Sequence, residues 1–171
     1  LEARNAQITE ALEQQTTTAE ILRVISSSPT NTQPIFEAIV KSGVELFGGM
    51  NVTLRLVRGD RLEHAPGTLP FPDDRPLRID DERSIGGRTI LSGQAVHVPD
   101  IPAEPWISEE SRRLAARRGV RSILTAPLLA QGKAIGLIAV TRATPGHYTS
   151  KQIALLETFA DQAVIAIENV R

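Results

Sequence analysis

Cysteine is absent from the 171 residues. That absence excludes a disulfide, a thiolate metal site, a cysteine nucleophile and a thioether-linked chromophore. Charge of one sign is also lacking: 19 basic residues face 20 acidic ones, for a net charge of −1. Without an overall basic field to hold phosphates, nucleic acid is not an expected partner. Long apolar runs are missing as well, since a stretch such as Ile135 to Val140 is far too short to cross a bilayer. No stretch reads as a membrane span or signal peptide, so no membrane contact by this segment is expected and the cytoplasm is the expected compartment. Histidine occurs only at His64, His97 and His147, with no His-x-x-His or His-Glu-x-x-His spacing, and no metal site is expected.

What is present is helical periodicity at both ends. Leu1, Asn5, Ile8, Leu12, Gln15, Ala19, Leu22 and Ser26 step by four and three, as do Ile153, Leu156, Ala160, Ala163, Ile167 and Val170. Such spacing predicts a narrow stripe, the seam of a two-stranded coil. Ile8, Leu12, Ala19 and Leu22 in the first stripe, and all six residues of the second, are therefore the expected interface of a parallel homodimer. Neither stripe is closed by a cap and the first residue is Leu rather than Met, so the segment is expected to be cut from a longer protein. The predicted organisation is an N-terminal signalling helix over 1–28 and a domain over 29–171, whose exit helix, 150–171, continues into an output domain.

Between the ends the pattern changes. Asn31 or Thr32 can cap a helix with Pro34 in its first turn and a broad apolar face of Ile35, Phe36, Ile39, Val40, Val44, Leu46 and Phe47, ended by Gly48-Gly49. Residues 51–57 and 62–64 predict a β-hairpin, 66–76 a surface loop, and 77–79 a short strand. Ser84 is expected to cap a helix over 85–91, followed by a strand over 95–98, and Ser108 a helix to about 118. Two apolar strands, 122–129 and 134–141, joined at Gln131-Gly132-Lys133, read as a tight hairpin covered on both faces.

Candidate chemistry is sparse. Catalysis needs a nucleophile with a base, paired carboxylates or a metal set in one cleft, and no such set is evident, so the segment is expected not to be an enzyme. His97, between Val96 and Val98, is either structural or a ligand contact such as a heme axial ligand. Gly86-Gly87 at a helix start either exposes amides to an anion or lets a Ser84-capped helix press against a strand. Arg112, Arg113, Arg117, Arg118 and Arg121 form either an anion cluster or the solvated face of a helix. Trp106, the sole tryptophan, is either a pocket wall or loop packing.

Ser84-Ile-Gly-Gly-Arg88 with Gly93-Gln-Ala-Val-His-Val-Pro-Asp100, Gly119-Val-Arg-Ser-Ile-Leu124, Ala126-Pro-Leu128, Gly136-Leu-Ile-Ala-Val140, and Tyr148-Thr-Ser-Lys-Gln-Ile-Ala-Leu-Leu156 through Ala166-Ile-Glu-Asn169 form an ordered set. Over roughly residues 30 to 170 this set resembles a GAF domain, the sensor module of bacterial histidine kinases, cyclases and related regulators. The resemblance implies an α+β fold, an α/β sandwich. Its central antiparallel sheet has five or six strands, with the terminal helices on one face and loops plus short helices on the other. It also places any pocket on the face away from the terminal helices. Strand alternation then assigns Ile123, Thr125, Leu137, Ala139 and Thr141 to the pocket, with Trp106 and His97 as further contacts. Leu124, Ala126, Leu128, Ile138 and Val140 are assigned to the helix side.

The implied role is a regulatory sensor that takes an unidentified small molecule and relays binding to an output domain in the same chain, the parent being a histidine kinase or cyclase of a two-component type. The alternative is a degenerate domain that binds nothing and serves as a dimerisation spacer. The cofactor is left unknown. Attachment of a bilin through this segment is excluded by the absence of cysteine, and cyclic nucleotide is disfavoured because the family's nucleotide signature is not found beyond Phe159-Ala-Asp161. Noncovalent heme or tetrapyrrole survives only through His97 or His64. An enzyme of the kind that reduces methionine sulfoxide shares the fold, but the missing cysteines remove its chemistry.

Overall fold

The computed structural model describes residues 3–9, 12, 32–66, 68 and 75–169. Residues 3–9 are helical, and Ile8 and Leu12 are exposed. The remainder of the predicted front helix, Ala19 and Leu22 included, lies outside the described residues, as does Val170. No helix among the described residues is long and apolar enough to cross a membrane.

The main body is α1 (Gln33–Leu46), β1 (Asn51–Arg58), β2 (Arg61–His64), β3 (Leu77–Arg78), α2 (Ile85–Ser92), β4 (Val96–Val98), α3 (Glu109–Arg117), β5 (Ser122–Ala130), β6 (Lys133–Arg142) and α4 (Ser150–Glu168), with a 3-10 turn at Ile101–Ala103. The strands form one six-stranded sheet, antiparallel throughout, in the order β3-β2-β1-β6-β5-β4. This is the expected α+β sandwich.

Local chemistry sets the boundaries. Thr32 occupies the cap position of α1, with proline in the first turn, but its hydroxyl makes no capping bond. The Ser84 and Ser108 hydroxyls accept from Gly87 N and Ser111 N, starting α2 and α3. Thr149 and Gln152 form a reciprocal capping box at α4. Gln131 and Gly132, both at positive φ (52° and 79°), make the two-residue turn whose twist suits the β5–β6 hairpin.

α1 and α4 cover one face of the sheet. Ile35, Phe36 and Ile39 from α1 and Leu156, Phe159, Ala160, Ala163 and Ile167 from α4 share a core with Val52, Leu54, Leu56, Leu124, Ala126, Leu128, Ile138 and Val140. The expected coiled-coil seam on the exit helix is corrected here. Leu156, Ala160, Ala163 and Ile167 are at most 2% exposed, and Ile153 packs against the same core. Their three-and-four spacing marks an apolar helix face, and this chain's own sheet covers it. On α4 the large apolar side chain turned outward is Ile165.

Candidate functional site

The opposite face of the sheet carries the site. In the β1–β6 and β5–β6 ladders Asn51 pairs with Thr141, Thr53 with Ala139, Arg55 with Leu137, Ile123 with Thr141 and Thr125 with Ala139. Because alternate residues share a face, all of these side chains point away from α1 and α4. α2, α3 and the 3-10 turn roof them over. One small core of Val98, Ile101, Ile107 and Val120 holds the roof, and another of Leu62, Leu137 and Ala139 joins it to the sheet.

Between roof and sheet lies a partly open cavity of about 110 Å³. Its floor is Thr53, Arg55, Ile123, Thr125, Leu137, Ala139 and Thr141, and its walls are Leu77, Ser84, Ile85, Gly86, Ile101, Ser111, Leu114, Ala115, Arg118 and Val120. The structure thus brings together the five strand residues assigned from alternation. It does not bring Trp106 or His97 to them. Trp106 packs against the Val98 cluster with the Arg88 guanidinium 3.6 Å over its ring. His97 pairs with Leu124, a residue of the helix-side core, and its Nε2 accepts the Tyr148 backbone N–H at 3.0 Å. Alternation on a three-residue strand placed His97 opposite its neighbours, and those neighbours, not His97, face the roof.

The hydroxyls differ from one another. Thr125 Oγ1 lies 2.6 Å from Thr89 Oγ1, which itself donates to the Ile85 carbonyl, so Thr125 is tied into the base of α2. Thr53 and Thr141 are each 4% exposed, and their hydroxyls have no hydrogen-bond partner among the described residues. A buried polar atom without a partner costs about 1–3 kcal/mol, so two on one cavity floor are an observation with functional content.

Arg55, 3% exposed, donates from Nη1 to the Leu62 carbonyl at 3.3 Å. Its Nη2 is 3.0 Å from His64 Nε2, which must be the acceptor because a guanidinium has only donors. The Nε2 atoms of both His64 and His97 are therefore engaged within the protein. Burial foremost, then the neighbouring His147 and Arg142, holds His97 below its ordinary value of 6.5.

The glycine pair resolves in favour of packing. A Cβ on Gly87 would overlap the Asp81 carbonyl, and one on Gly86 would meet Leu62 Cδ1 at 3.0 Å. The arginine cluster is largely bonded locally: Arg112 to the Glu104 carbonyl at 2.6 Å, Arg113 to Glu109 at 2.8 Å and Arg121 to Asp100 at 2.9 Å. Arg118 alone of the five lines the cavity. Sequence reasoning missed Thr53 and Arg55, whose polar positions in an alternating strand resemble a solvated face. The signal that finds them is their register against Ala139 and Leu137.

A family model described as GAF domain matches residues 31–167. Among solved structures the chain is similar to the free methionine-R-sulfoxide reductase of Neisseria meningitidis in complex with its substrate, at TM-score 0.73 and 21% identity over 95% of this chain and 92% of that one. A methyl-accepting chemotaxis protein, residues 122 to 287, matches at TM-score 0.70 and 21% identity, covering 90% of this chain and 96% of that one. The type II free methionine-R-sulfoxide reductase of Thermoplasma acidophilum matches at 0.66 and 16%, covering 81% and 94%. At these identities the likeness is one of fold. It corrects the expectation that the segment is not an enzyme: two of these neighbours are reductases, so the architecture houses catalysis and gives no support to a non-catalytic assignment.

Proposed function

The chain belongs to the GAF domain family, whose members serve as regulatory sensor modules in signalling proteins, and from that premise we propose that it is a ligand-responsive domain whose cavity takes a small molecule. The observation that carries this reading is the pair of buried, unpartnered hydroxyls, Thr53 and Thr141, on the cavity floor. Structural threonines would be satisfied within the protein, as Thr125 is.

The route of transmission is short. β5 and β6 present Thr125, Ala139 and Thr141 to the cavity and Leu124, Ala126, Ile138 and Val140 to α1 and α4. A ligand that shifts these strands alters the seat of α4 directly, and packed interfaces switch between discrete arrangements more readily than they deform. In this reading the domain acts in the cytoplasm as a homodimer and passes the change to an output domain of a multidomain protein, histidine kinase or cyclase. With the inner stripe of α4 committed to the core, pairing would use the exposed Ile8 and Leu12 together with the outer side of α4 at Ile165.

Thermal-shift screening with nucleotides, tetrapyrroles and small organic acids tests the binding claim, because a ligand specific for the folded state raises Tm by mass action. Hydrogen exchange in α4 with and without the hit tests the relay, and mass in solution tests the pairing. Silence across the whole screen would favour the spacer reading.

A further inference from the structure

We infer that the cavity under α2 and α3 is a site for a small organic carboxylate, with the Thr53 and Thr141 hydroxyls as the donors that seat its oxygens. This rests on the reading of the domain as a ligand sensor and adds the chemical class of the ligand. Thr53 pairs with Ala139 and Thr141 with Asn51, so the two threonines are diagonal neighbours on adjacent strands of one face. Diagonal positions are about 7–8 Å apart at Cα, a span that lets two hydroxyls approach the two oxygens of one carboxylate. A hydroxyl can also accept, so the surrounding charge decides the direction. Among the described lining residues the charged groups are Arg55 and Arg118, and none is acidic. A guanidinium carries five N–H groups, so bonds within the protein and a bond to a ligand are compatible. Such surroundings favour an oxygen acceptor bearing negative charge and disfavour an ammonium group.

The remaining surface sets size and shape. A volume of about 110 Å³, smaller than the roughly 150 Å³ that admits benzene, suits an acid of a few carbons. Leu137 and Ile123 line the floor beside the threonines and offer a surface for a short alkyl tail. An inorganic oxyanion shares the oxygens but has no tail to place there.

The experiment is calorimetric titration of the whole chain with propionate, propionamide, propylammonium and inorganic phosphate, using wild type, Thr53→Val, Thr141→Val and Thr141→Ser. Propionate is expected to bind wild type and Thr141→Ser alike, and each valine variant, confirmed as folded by its melting curve, to bind about tenfold more weakly, as loss of a hydrogen bond to a charged group implies. The other three probes are expected to bind at least about tenfold more weakly than propionate: propionamide and propylammonium because they lack the negative charge, and phosphate because it lacks the alkyl tail. Equal binding of propionamide would overturn the carboxylate assignment while leaving the sensor reading intact. Phosphate binding as well as propionate would overturn the organic tail. Propionate binding unchanged by both valine variants would remove the acid from this cavity, and no binding by any probe would overturn the inference, whereas the sensor reading falls only with the wider ligand screen.

Discussion

Replacing Thr141 by valine is expected to stabilise the ligand-free protein, although removing a hydroxyl from a sheet interior ordinarily does the reverse. The usual cost arises because the hydroxyl has a partner that is left unpaired. Thr141 Oγ1 has none among the described residues and is buried at 4% exposure. A buried, unpaired polar group costs about 1–3 kcal/mol, and valine puts a methyl of similar size in its place while keeping the β-branched shape that suits a central strand. Taking the lower end, because the cavity beside it gives the hydroxyl some polar surroundings, the gain is about 1 kcal/mol. In a chain of this length that raises Tm by about 2–4 °C. Thr53→Val is expected to act in the same direction, and because the two threonines are diagonal neighbours on one cavity floor the double variant is expected to depart from the sum of the singles. The assay is calorimetric or urea-induced unfolding of wild type, both single variants and the double variant. A fall in stability of about 1 kcal/mol in either single variant would show that the hydroxyl is bonded in the ligand-free protein and is not held in reserve for a ligand. The expected pattern, higher stability with lost ligand response, is that of a site residue retained at the expense of the fold.

Three further outcomes follow from the geometry. Gly136→Ala would drive a Cβ into the Arg55 carbonyl and to 3.2 Å from Leu56 Cα, both backbone, where Gly136 pairs with Leu56 at one end of the β1–β6 ladder; unfolding midpoints should fall by an amount equivalent to about 3 kcal/mol, the upper range for overpacking. Thr149→Ala removes the capping box of α4 and should lower stability by about 1 kcal/mol, with hydrogen exchange quickening first near Lys151 and Gln152. His97 titrates below 6.5 in the folded protein, chiefly through burial. The folded state therefore binds fewer protons than the unfolded one just below 6.5, and stability present above that value is lost as pH falls through the folded pKa. His97→Gln keeps an acceptor for the Tyr148 N–H and should flatten that part of the stability profile, as denaturant melts across a pH series would reveal.

Much of the architecture was legible because it is written locally. Ser84, Ser108 and Thr149 each announce a helix start with a hydroxyl that the first-turn amides need, and each is observed in that role. Gln131-Gly132 supplies the positive φ values that close a tight hairpin, and the apolar runs on either side give β5 and β6. Period-two alternation, with the side of the helices supplied by resemblance, placed Ile123, Thr125, Leu137, Ala139 and Thr141 on one face.

Other questions could be answered only by what lies opposite each residue. The stripe Leu156, Ala160, Ala163 and Ile167 declares that one side of α4 is apolar, but the same stripe serves a partner helix or the protein's own sheet, and here it meets the sheet. Thr53 and Arg55 look like a solvated strand face until β6 aligns them with Ala139 and Leu137 beneath a roof formed by α2 and α3. His97 and Trp106 are expected from the sequence as further contacts of the cavity, and packing turns one toward Tyr148 and the other toward Arg88. The sequence by itself determined the elements, their order and the faces of the long strands, because capping, turn geometry and periodicity act over a few residues. The tertiary structure alone decided what covers each face, because burial, hydrogen-bond satisfaction and charge environment depend on residues distant in the chain.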